Sequence, residues 1–97
     1  MRIVWLPQVI DDLKRGREFL RLQNVQAAQR AVLAISKMAA LLAANPRFGM
    51  VAKEAPDFRD VVIPFGRRNY VLRYRIDGDD IVIVALRHVR EVGFTDR

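Results

Sequence analysis

Two apolar runs joined by Asp77-Gly78-Asp79-Asp80 constrain this chain more than any other feature. Before the turn, Tyr70, Leu72, Tyr74 and Ile76 alternate with Val71, Arg73 and Arg75; after it, Ile81 to Leu86 is unbroken apolar sequence. Asp-Gly between two strand-like runs signals a tight hairpin, because glycine accepts the positive φ that such a turn demands. With Gly78 and Asp79 at the turn, Ile76 pairs with Ile81, Tyr74 with Ile83 and Leu72 with Ala85. Side chains alternate across a strand, so Tyr70, Leu72, Tyr74, Ile76, Ile81 and Ile83 are expected on one face. The opposite face is expected to carry Val71, Arg73, Arg75, Val82, Val84, Leu86 and His88.

A strand that is apolar on both sides belongs inside a sheet with both faces covered. The helices read below can cover one face only, so the arginine-bearing face is expected to receive a second molecule. Of the 17 basic residues three are lysine, and the net charge is +6. Arginine's planar fork matches carboxylates and phosphates, which points to an acidic protein segment or a nucleic acid as that molecule. With no cysteine and one histidine, disulfides and conventional zinc sites are excluded, and no cofactor is expected.

The remainder reads as one folding unit over residues 1–97. Arg2 to Leu6 has strand composition, and Pro7 suits the first turn of a helix, where its missing N–H costs nothing. Val9, Leu13, Gly16 and Leu20 recur at helical spacing up to Leu22, with Asp11 and Asp12 expected in the first turn and Gly16 at a close helix approach. Asn24 caps a second helix, whose stripe is Val25, Ala28, Val32, Ile35, Ala39 and Leu42, and Asn45-Pro46 stops it. A loop bearing Gly49 and Pro56 then leads to a strand over Phe58–Ile63, ended by Pro64 and Gly66. No segment reads as a membrane span, since Ala27 to Ala44 is interrupted by Gln29, Arg30, Ser36 and Lys37. A cytoplasmic location is expected.

The first strand with Trp5, the helical hairpin with Asn45-Pro46 and then Gly49, and a strand with Arg59 form the first part of a longer pattern. Tyr70-x-x-x-Tyr74-Arg75 and Arg87-His88-x-Arg90-Glu91 complete it. Their order and spacing resemble the RelE/ParE family of toxins, from Ile3 to Phe94. The resemblance implies an α+β fold: an N-terminal strand and an antiparallel two-helix hairpin packed on one face of a small, mainly antiparallel sheet. It also implies a cognate antitoxin whose acidic or amphipathic carboxy-terminal segment covers the toxin.

Family members either poison DNA gyrase or cut messenger RNA on the ribosome. Cutting RNA through its own 2′-hydroxyl needs a base, cations at the phosphate and an acid for the leaving oxygen. Nuclease members follow the strand tyrosine with an arginine, where this chain has Val71. They often place a tyrosine near the carboxy terminus, where it has Phe94, and carry two lysines in the segment leading into the sheet, where it has only Lys53, beside Glu54. The resemblance therefore favours the gyrase branch. In the nuclease alternative His88, Arg87 and Arg90 would be the catalytic set, histidine being the side chain that titrates near neutral pH. A non-toxic basic nucleic-acid-binding module is a third reading, for which the sequence offers no evident row of exposed aromatics. The partner- or target-binding residues expected are Arg59, Arg67, Arg68, Arg73, Arg75, Val82, Val84, Leu86, His88 and Arg90, with a structural ion pair from Arg59 to Asp60 as the alternative for that arginine.

Overall fold

The computed structural model describes residues 1–65 and 68–90, and the side chains of all of these except 68 and 90. The elements run β1 (Arg2–Trp5), α1 (Pro7–Gln23), α2 (Val25–Ala44), β2 (Met50–Ala52), β3 (Ala55–Phe65), β4 (Arg68–Asp77) and β5 (Asp80–Arg90). The strands form one sheet in the order β1-β5-β4-β3-β2; β1 is parallel to β5 and every other pairing is antiparallel. Two helices on a mixed, mainly antiparallel sheet make the α+β fold that the resemblance implies.

Local chemistry explains the helix ends. Pro7 opens α1, and a single residue, Asn24, closes α1 and caps α2 by accepting the Ala27 N–H at 3.1 Å. Because α1 starts at Pro7, Asp11 and Asp12 stand in its second turn rather than its first. By length and composition α2 could cross a membrane. Its buried stripe, Ala28, Ala31, Ile35, Ala39 and Leu42, is instead committed to the protein interior. Val25, expected in that stripe, is 52% exposed. A Cβ placed on Gly16 would meet nothing within 4 Å, so the expected close helix approach at this glycine does not occur.

The core lies between the helices and one sheet face: Val9, Ala31, Ile35 and Leu42 meet Val61, Ile63, Tyr70, Leu72, Tyr74, Ile81 and Ile83. Ile3, Trp5, Leu13 and Leu20 pack against its margin. Tyr74 also organises the loop that follows α2. Its buried hydroxyl donates to the Pro46 carbonyl at 2.6 Å and accepts the Gly49 N–H at 2.9 Å. A Cβ on Gly49 would come within 2.8 Å of that ring, which is why the position needs glycine.

Two strand readings change. Met50–Ala52 is a strand, pairing antiparallel with the start of β3, and β3 extends from Ala55 through Pro64 to Phe65. The described pairing with β2 reaches only Asp60, so the later part of β3 lies at an edge, where a proline is tolerated.

The hairpin turns at Gly78, φ +59°, and Ile76 pairs with Ile81 and Tyr74 with Ile83, as its sequence predicts. Arg73 then pairs with Ala85, leaving Val84 as an extra residue in β5. This bulge moves the register by one, so Leu72 faces Leu86 rather than Ala85, and Tyr70 faces His88. Without it, regular alternation would aim Ala85 and Arg87 at the helices. Leu86 belongs to the core instead, and Arg87 points outward beside Val71, which avoids burying a guanidinium.

Candidate functional site

The outer sheet face, away from the helices, carries Val71, Arg73, Arg75, Val82, Ala85 and Arg87, with Asp60 and Val62 beside them on β3 and Val4 on β1. Its expected apolar exposure is largely absent. Val82 is 5% exposed and Val71 2%, while Leu86 lies in the helix-side core. Ile76, expected in that core, is 38% exposed at the turn. Val84 is half-buried at the bulge.

The arginines differ in what they already hold. Arg73 donates through Nε to Asp60 Oδ1 at 2.7 Å, and through Nη2 to Asp60 Oδ2 at 2.9 Å and Glu54 Oε2 at 2.6 Å. These two carboxylates raise the Arg73 pKa further above its ordinary value. Arg59 donates to the Gly49 carbonyl at 2.8 Å and the Arg47 carbonyl at 3.2 Å, so it braces the loop on which Tyr74 also acts. It makes no pair with Asp60, whose carboxylate is taken by Arg73. Arg75 is only loosely paired, 3.8 Å from Asp77, and more open. Arg87 is exposed and lines a 270 Å³ cavity with Glu54, Asp60, Val71, Arg73 and Ala85. Arg67, Glu91 and Phe94 lie outside the described residues, as do the side chains of Arg68 and Arg90.

His88 is the largest departure from the expected site. It stands opposite Tyr70, and the two rings stack with centroids 4.8 Å apart. That places it on the helix-facing side of the sheet, opposite the face that holds Arg73 and Arg87. Burial raises the Tyr70 pKa, so this ring is a neutral hydrophobic support for the imidazole at ordinary pH.

One surface went unnoticed in the sequence. The outside of the helical hairpin holds a 480 Å³ groove lined by Val25, Ala28, Val32 and Leu33 between Arg17, Arg21, Gln29 and Ser36. Leu22 beside it is 74% exposed. The signal was present in Leu22, Val25 and Leu33, three large apolar residues that a single core stripe cannot accommodate. Phe19 and Phe48 are exposed aromatics too, but on α1 and on the loop before β2 rather than along the arginine strands.

A family profile described as the ParE toxin of the type II toxin-antitoxin system, parDE, matches residues 3–93. The chain belongs to this toxin family. Toxin RelE3 of Caulobacter vibrioides is 33% identical over 85 residues, covering 88% of this chain and 90% of that relative. The solved chromosomal ParDE toxin–antitoxin system of P. aeruginosa superposes with a TM-score of 0.73 at 22% identity, over 93% of this chain and 97% of the other. The chain is thus a toxin of the ParE/RelE family, and the family pairs such toxins with a cognate antitoxin. Three of the residues that carried the resemblance, Gly49, Arg59 and Tyr74, meet at one braced loop.

Proposed function

We propose that this toxin acts by binding and poisoning DNA gyrase in the cytoplasm, and that its antitoxin wraps it to prevent this. One observation carries the choice of target: of the candidate nuclease set, the base His88 and the cation Arg87 lie on opposite faces of the sheet, while the side chain of Arg90 lies outside the described residues. Cleaving RNA requires the base at the 2′-hydroxyl and a cation at the adjacent phosphate within one small volume. Val71, where a nuclease would offer an arginine, lines the outer cavity as an apolar wall. The ParE description of the matching family supports the same reading, although the name of the Caulobacter relative belongs to the other branch.

The antitoxin has two separate features to cover. Exposed apolar surface lies in the hairpin groove, and accessible cations, Arg75 and Arg87, lie on the outer sheet face. A segment that wraps both would place an amphipathic helix in the first and an acidic stretch across the second.

Induction of the chain alone, followed by gyrase supercoiling assays on the purified protein, tests the target. The expected result is inhibited supercoiling with filamentous, SOS-induced cells, and His88→Ala retains toxicity. Cut transcripts with gyrase unaffected, and toxicity lost in His88→Ala, would refute the proposal.

A further inference from the structure

On the outer face, Glu54 sits on the two-residue turn between β2 and β3, with its side chain 70% exposed, yet it reaches Arg73 at 2.6 Å. Arg73 does not depend on it, because Asp60 already holds that guanidinium through two hydrogen bonds on the adjacent strand. The Arg73 hydrogen bond holds the Glu54 carboxyl below the usual carboxylate range, and Arg87 contributes a weaker pull from the other side. Among the described residues no carboxylate is in ion-pair contact with Arg87 itself. The cavity between these groups has 270 Å³, with the small side chains of Val71 and Ala85 among its walls.

We propose that this cavity is a binding site for one carboxylate side chain of an acidic partner segment, and that Glu54, at its wall, holds Arg73 in the free toxin as an internal stand-in. Charge supports one anion: Arg73 and Arg87 give +2, Asp60 and Glu54 give −2, and withdrawing Glu54 leaves +1. A carboxylate from outside then meets Nη2 of Arg73 where Glu54 met it and gains Arg87 as a second donor. Swinging Glu54 aside costs little, since an exposed ion pair on a turn contributes little to stability. A carboxylate is favoured over a phosphate because the group that occupies the position is one. The inference deepens the proposed antitoxin contact and rests on that reading for the identity of the partner.

The probe is an acetylated hexaglutamate peptide, titrated at low salt into the purified full chain by isothermal titration calorimetry. Glu54→Gln is expected to tighten binding by about fivefold or more, because it removes the internal competitor while retaining the turn. Asp57→Asn makes the same charge change at an exposed neighbouring position and is expected to leave affinity within about twofold. Arg87→Gln weakens binding about tenfold and abolishes the gain from Glu54→Gln. Circular dichroism checks that each variant is folded.

Equal tightening by Asp57→Asn would reduce the effect to net charge and overturn the proposal, as would no change in Glu54→Gln. If an oligothymidylate showed the Glu54 and Arg87 dependence and the peptide did not, the site would be a phosphate site and the carboxylate assignment would fall. Failure of the peptide leaves the antitoxin reading standing. Loss of that reading, through a chain that shows no toxicity without a partner, leaves the measured carboxylate site intact.

Discussion

The two faces of the sheet obtain their order in different ways. On the helix side, Leu72, Tyr74, Ile81 and Ile83 are fully buried, and the Tyr74 hydroxyl is satisfied by two loop backbone groups. On the outer side, Val71 and Val82 are nearly as shielded, but their neighbours are arginines and carboxylates rather than a second apolar layer. Low exposure is therefore not the same as a packed core. The first face derives its stability from dispersion and water exclusion, while the second keeps charge near a cavity that a partner's side chain can enter.

Adjacent residues on β4 give the sharpest test of that difference. Leu72→Ala is expected to destabilise the fold by about 2–5 kcal/mol in urea unfolding, because it removes packed volume from a closed core. Val71→Ala should cost only roughly 1–2 kcal/mol, the transfer value of its lost methyl groups, since water can enter the cavity beside it. Equal losses would mean that the outer face is sealed and that a partner has nothing to enter. Next in size, Tyr74→Phe should cost about 1–3 kcal/mol by leaving the Gly49 N–H and the Pro46 carbonyl without their partner. Amide exchange would show the loss concentrated in the loop before β2 rather than across the outer face. The smallest effect runs the other way. Gly16→Ala should stabilise by about 0.5–1 kcal/mol, since α1 needs no glycine there and a methyl group meets open space. A destabilised Gly16→Ala in thermal melts would show that the helices approach more closely than the structure has them.

Much of this fold was legible because its signals are local. Asn24 and Asn45-Pro46 mark the limits of α2 through the chemistry of their own side chains and rings, and Asp77-Gly78 marks the turn of the long hairpin. Strand β2 was hidden because Met50-Val51-Ala52 is three residues long, too short for alternation to register, and its pairing partner lies across a turn. The arginine face was legible as a face but not as a set of pairs. Nothing near Arg73 in sequence announces Asp60 and Glu54, which arrive from β3 and from the turn before it. Arg59 was even more deceptive, since its acidic neighbour Asp60 points to the other side of the strand and its actual partners are carbonyl groups of the preceding loop.

The amino-acid order by itself determined the helical hairpin, the strand turn, the aromatic anchors and the excess of arginine, because each depends on torsional preference or on a period within one segment. Only the tertiary structure decided which residues of β5 look inward. A single extra residue, Val84, exchanges Ala85 and Arg87 for Leu86 and His88 on the helix side. Alternation along one strand is blind to this choice. It is made where the strand meets its neighbours, since burying leucine is favourable and burying an unpaired guanidinium is not.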